Sequence, residues 1–170
     1  MYEVQNFSGP ARFLTDMHYF SGMKKSATTL IAFVFSIALQ AQSSTARINH
    51  VAIYVVDLAK STAFYRDIIG LDSIPEPFHD GKHTWLSIGP GASLHIIAGA
   101  EQPRNYYKNN HICFSVPSVE TFTKLLREKG IDWEDVSGKK GSITIRVDKV
   151  KQIWLNDPDG YWLEVNDARD

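Results

Sequence analysis

The feature that most constrains this chain is an internal duplication. Asn49 to Asp72 reads NHVAIYVVDLAKSTAFYRDIIGLD, and Asn110 to Asp132 reads NHICFSVPSVETFTKLLREKGID. With Asn49-His50 set against Asn110-His111, the two run together, with one gap, to Gly70-Leu71-Asp72 and Gly130-Ile131-Asp132. Each copy opens on a β-branched or aromatic run, which favours a strand. Each then changes to helical spacing, through Leu58, Phe64, Tyr65 and Ile68 in the first and Val119, Phe122, Leu125 and Leu126 in the second. Asp57 and Ser118 are expected as N-caps, Gly70 and Gly130 as C-terminal stops.

Strand-like stretches follow both helices: Trp85 to Ile88, Ser93 to Ala98, Ile143 to Val147, Gln152 to Leu155 and Trp162 to Val165. Turn clusters part them, the densest being Asn156-Asp157-Pro158-Asp159-Gly160. Leu94-His95-Ile96 ends the first unit where Leu163-Glu164-Val165 ends the second. The expected architecture is α+β, two βαβββ modules over 46–101 and 109–168, joined by the polar connection 102–109 into one domain over 46–168. At 170 residues and 44% hydrophobic content, the chain has material for one sizeable core.

The duplication also matches polar residues. His50 and His111 hold equivalent places on first strands, His95 and Glu164 on last strands, so a pseudo-twofold relation would gather all four. Three imidazoles and a carboxylate suit one divalent ion among Zn, Ni, Co, Mn and Fe. A carboxylate between Leu163 and Val165 also needs a countercharge if it is buried. A single histidine in an apolar strand is more often a hydrogen-bonded core residue than a ligand; the fourfold match outweighs that reading. Strand alternation sets Ala52 and Tyr54 beside His50, Ser93 and Ile97 beside His95, Cys113 and Ser115 beside His111, and Trp162 and Asn166 beside Glu164. Tyr54, Cys113 and Trp162 are therefore candidates for substrate contact, with packing beneath the site as the plainer alternative. Lys139, Lys140 and Arg146, on or beside the loop 138–141, are candidates for clamping an anionic substrate or members of a solvated charge cluster.

Lysine plus arginine (18) nearly balance aspartate plus glutamate (19), so no single-sign field exists to hold a nucleic-acid backbone. A small molecule is the expected partner. The sole cysteine, Cys113, excludes an intramolecular disulfide. Met23-Lys24-Lys25, the apolar run Thr29 to Leu39 and Gln40-Ala41-Gln42 follow the order of a secretory signal peptide. Residues 23–41 are thus expected to direct export to the periplasm or outside, with 1–22 as an upstream extension; an uncleaved anchor or a core helix is the alternative. The run is short for a membrane span and no second one follows, so no stable span is expected after processing.

The stretches NHVAIYVVDL with FYRDIIGL, then SLHIIAG, NHICFSV and WLNDPDGYWLEVND, resemble the glyoxalase/vicinal oxygen chelate family over Arg47 to Asp167. The resemblance implies sheets curled into a cup around one divalent metal, held at positions that fall here on His50, His95, His111 and Glu164. It implies a glyoxalase I-like lyase or isomerase acting on a substrate with two neighbouring oxygens, Glu164 serving as both ligand and base. His95 departs from glyoxalase I, which carries a carboxylate at that position. An extradiol ring-cleaving dioxygenase and a non-catalytic binding or resistance protein are the alternatives within the family. The open sheet edges make a homodimer the expected state.

Overall fold

The computed structural model describes residues 46–169, and the expected signal peptide and upstream extension lie outside them. The first module contains β1 (His50–Val55), α1 (Leu58–Ala63), β2 (Ser73–Ile74), β3 (His83–Gly89) and β4 (Ala92–Ala98). The second contains β5 (His111–Ser115), α2 (Val119–Glu128), β6 (Thr144–Ile145), β7 (Lys151–Asn156) and β8 (Trp162–Asn166). Each module forms a four-stranded mixed sheet, in the orders β1-β4-β3-β2 and β5-β8-β7-β6. First and last strands pair in parallel, and the rest are antiparallel. The expected α+β pair of βαβββ units is the architecture found.

Local chemistry accounts for the helices. Asp57 Oδ1 accepts from Lys60 N at 2.9 Å and Ser118 Oγ from Thr121 N at 3.2 Å, each satisfying an amide that the first turn leaves open. Beyond Ala63, α1 widens into a π-helical turn, Phe64–Ile69, which buries the consecutive side chains Phe64 and Tyr65; the sequence periodicity indicated an ordinary helix there. Gly70, at φ 89°, then ends it in the left-handed conformation that glycine adopts without a Cβ penalty.

Strand alternation sends Ile53, Val55, Leu94 and Ile96 of the first sheet, and Ile153, Leu155, Leu163 and Val165 of the second, into one core with Val119, Phe122 and Leu126. The opposite face stays open: His50, Ala52 and Tyr54 on β1 and His111, Cys113 and Ser115 on β5 are all exposed. One expected strand is much shorter than its sequence indicated. Instead of 143–147, only Thr144 and Ile145 pair, because Arg146 N bonds Val150 O at 2.8 Å and turns the chain back.

The modules are held together by polar groups at the turn between β7 and β8. Asp159 accepts from Val56 N at 2.7 Å and from Ser61 Oγ at 2.6 Å, Asp157 accepts from Tyr65 Oη at 2.8 Å, and Tyr54 N donates to Tyr161 Oη at 3.0 Å. Burial raises the Asp157 carboxyl above its ordinary range and Tyr65 well above its own. Gly160, at φ 92°, is required in this turn, since a Cβ there would lie 2.0 Å from Arg104 O. No helix among the described residues is long and apolar enough to cross a membrane.

Candidate metal centre

Register brings the matched residues together in pairs. His50 lies opposite Ser93 and Ala52 opposite His95, just as His111 lies opposite Trp162 and Cys113 opposite Glu164. Each first-strand histidine is therefore diagonal to the last-strand residue of its own module, on the same face of the sheet.

In the first module the His50 and His95 ring centroids are 6.0 Å apart. His50 Nδ1 lies 2.9 Å from Asn49 Oδ1; in the tautomer that donates to this acceptor, Nε2 is the nitrogen available to a ligand. His95 is 6% exposed, and burial first, then His83 and His50, hold its pKa below the ordinary histidine value, keeping the ring neutral as metal binding requires. Its Nε2 is 2.7 Å from His83 Nδ1, and His83 Nε2 is 3.4 Å from Asp80 Oδ2. Trp85 stacks on His95, with centroids 4.2 Å apart and planes at 19°.

In the second module His111 Nε2 is 3.5 Å from Glu164 Oε2. Two donors each about 2.1 Å from one ion stand roughly 3.0–3.4 Å apart in octahedral or tetrahedral geometry, so this pair is nearly at ligand spacing. Glu164 is 7% exposed, and its Oε1 accepts from Asn166 Nδ2 at 3.0 Å and, with the amide turned to satisfy both neighbours, from Gln152 at 3.3 Å. Those bonds fix the carboxylate and leave Oε2 turned toward His111. The nitrogen and oxygen donors fit a divalent ion. Among the described residues, however, no three His, Cys, Asp or Glu side chains converge within the single chain.

The substrate candidates divide. Arg146 reaches the site, with Nη1 3.9 Å from Glu164 Oε1 and Nη2 2.8 Å from Asp148 Oδ2. Cys113 does too: its sulfur accepts from Asn166 Nδ2 at 3.1 Å, and partial desolvation, followed by the Glu164 charge, pushes the metal-free thiol up to about 12. Trp162 donates Nε1 to Tyr106 O at 3.0 Å, and Lys108 Nζ lies over its ring. Tyr54 is set apart, roughly 13 Å along β1 from His50 at about 3.3 Å per residue, with its ring folded over Gly99. Lys139 and Lys140 are exposed on their loop, Lys140 pairing with Asp132 at 3.4 Å.

His83, Trp85, Gln152 and Trp154 were not singled out from the sequence. Trp154 meets the edge of His111 at 4.5 Å. All four reach the site through antiparallel register with β4 or β8, a non-local pairing that the alternation of one strand does not reveal.

Residues 47–165 match the sequence model of the Glyoxalase/Bleomycin resistance protein/Dioxygenase superfamily. The chain is 30% identical over 125 residues to glyoxylase I 4 of Arabidopsis thaliana, covering 69% of this chain and 68% of that protein. It is 29% identical to the lactoylglutathione lyase of Schizosaccharomyces pombe, covering 72% of this chain but only 47% of that longer protein. Among solved structures, Oxidase ChaP-H2 superposes with a TM-score of 0.61 at 25% identity, over 74% of this chain and 95% of the other.

Proposed function

The chain belongs to the Glyoxalase/Bleomycin resistance protein/Dioxygenase superfamily, and we propose that within it this protein is a divalent-metal-dependent lyase or isomerase, similar to glyoxalase I, acting on a small substrate with two neighbouring oxygens. The observation that carries the reading is the His111–Glu164 pair: a buried carboxylate held by Asn166, 3.5 Å from an imidazole, with His50 and His95 in the matching places of the other module. His50, His95, His111 and Glu164 would hold the ion. When bound, it would supply a Lewis acid for negative charge on the substrate's two oxygens.

The two half-sites meet when two copies of the chain pair. β1 and β5 are sheet edges, both carry a histidine on the open face, and joining β1 of one copy to β5 of its partner sets a three-histidine-plus-glutamate group at each seam. Glu164 is the proton acceptor, because it is the only carboxylate among the four. Asn166 and Gln152 orient it, and Arg146 offers a positive charge beside the developing anion. Residues 23–41 serve as a signal peptide, and the domain acts after export.

Glu164→Gln tests the assignment, since an amide oxygen still reaches a metal but accepts no proton. Metal content, read by elemental analysis, should persist while turnover falls by roughly 10²- to 10⁴-fold. Retained metal with parental turnover overturns the role given to Glu164. His95, standing where glyoxalase I has a carboxylate, favours one second reading: a ring-cleaving dioxygenase using two histidines and Glu164, which would consume oxygen in the presence of a catechol.

A further inference from the structure

In both modules the third long strand reaches the polar residue of the last one. His83 on β3 pairs with Ile97, two residues beyond His95, and Gln152 on β7 pairs with Asn166, two residues beyond Glu164. His83 and Gln152 therefore hold equivalent places. Each touches its neighbour's polar group: His83 Nδ1 is 2.7 Å from His95 Nε2, and Gln152, with its amide turned, donates to Glu164 Oε1 at 3.3 Å. In the second module the oxygen so held is not the one that faces His111, which is Oε2 at 3.5 Å. The duplication puts the same division on His95, with Nε2 held and Nδ1 left free.

The His95 ring needs such a hold. Trp85 stacks on it at 4.2 Å with planes at 19°, and Phe78 lies nearly parallel at 5.9 Å and 16°. Stacking fixes the plane of an imidazole, but a half-turn about Cβ–Cγ keeps that plane while exchanging each nitrogen with a carbon. Only a directional hydrogen bond selects one orientation. His83 supplies that bond and is itself steadied, since its Nε2 faces Asp80 Oδ2 at 3.4 Å while Asp80 Oδ1 accepts from Lys82 N at 2.9 Å. In the tautomer that turns His83 Nε2–H to this carboxylate, His83 Nδ1 accepts from His95 Nε2–H, and Nδ1 is the His95 nitrogen available to a ligand. Partners that hold the second ring nitrogen of a ligating histidine fix its tautomer and raise its basicity toward the metal.

We propose that His83, backed by Asp80, is a positioning residue that sets the orientation and tautomer of His95 so that Nδ1 meets the ion. The ion at Nδ1 rests on the metal-centre reading above; the hold on His95 does not.

Two measurements on the full chain test this. With isotope-labelled histidine, long-range proton–nitrogen spectra of the metal-free protein, assigned against His95→Gln, should show His95 with Nε2 protonated and Nδ1 bare. His83→Leu should abolish that preference, whereas His83→Asn, whose amide oxygen falls near the place of the Nδ1 acceptor, should keep it. Co(II) affinity, from competition with a chromophoric chelator, should fall roughly 10- to 100-fold in His83→Leu and stay within about threefold of the parent in His83→Asn. Rescue by asparagine separates a lost acceptor from a disturbed fold. His95 protonated on Nδ1 in the parent, or parental spectrum and affinity in His83→Leu, overturns the proposal. Equal losses in both variants overturn it too, because the imidazole itself would then be what the metal needs. A parent that shows the expected tautomer but takes up no Co(II) removes the metal-centre reading and leaves the hold on His95 standing.

Discussion

Asp159→Ala should loosen the joint between the modules by an amount that follows from its contacts. Asp159 is 3% exposed and accepts from Ser61 Oγ at 2.6 Å and Val56 N at 2.7 Å. A hydrogen bond to a charged group contributes about 1.5–3 kcal/mol. The two losses differ in severity: Ser61 is fully buried and its hydroxyl loses its acceptor, whereas Val56 is 42% exposed and its amide regains water. Removing a buried charge also returns part of its desolvation cost. The net expectation is about 2–3 kcal/mol, or roughly 6–12 °C in Tm for a domain of this size. Urea unfolding followed by circular dichroism measures it, with an unchanged m-value showing that the folded state has stayed compact. Ser61→Ala should cost about 1 kcal/mol, and the double variant should show about 1–2 kcal/mol of coupling, because both changes remove one shared bond. Strict additivity of Asp159→Ala and Ser61→Ala, or a loss under about 0.5 kcal/mol in Asp159→Ala, would refute the reasoning.

Three further expectations concern the site and the terminus. A chain with His50→Ala and His95→Ala and another with His111→Ala and Glu164→Ala should each be metal-free alone, yet a mixed dimer isolated through two different tags should hold one metal, because one of its seams is intact; a metal-free mixed dimer places the site within single chains. Cys113 in metal-free protein should react with iodoacetamide at pH 8 more than a hundredfold more slowly than free cysteine. Its pKa is raised to about 12, so the thiol stays protonated throughout the neutral range, and Glu164→Gln should speed the reaction by removing the negative charge beside it; reaction at the free-cysteine rate contradicts the placement of that sulfur. N-terminal sequencing of exported protein should begin near Gln42, and recovery of the full chain from the cytosol sinks the export proposal.

Local periodicities carried much of this protein into view before any tertiary contact was known. Alternation put His50, Ala52 and Tyr54 on one face of β1 and Ile53 and Val55 on the other, and the structure leaves the first set open and buries the second. The helix starts at Asp57 and Ser118 and the stop at Gly70 were equally plain, because a cap needs only its own neighbours. The duplication went furthest, since two copies of one pattern imply one register, and His50 and His111 stand in the same relation to His95 and Glu164.

Tertiary structure decided what depends on distant partners. In the sequence, Asp157 and Asp159 are turn formers; only the packed modules show Tyr65 and Ser61 bonded to them, about a hundred residues away in the chain. Ile143 to Val147 reads as a strand by composition, but the turn at Arg146 leaves β7 only two residues to pair with, and the same turn brings Arg146 beside Glu164 while Lys139 and Lys140 stay on their own exposed loop. His83 and Trp85 reach His95 only through the register of β3 against β4, and a shift of one residue would turn both to the opposite face. Propensity and periodicity are properties of a few consecutive residues, whereas register and packing are set by the energy of the whole pairing. The sequence therefore shows which residues share a face, and the fold determines what they meet there.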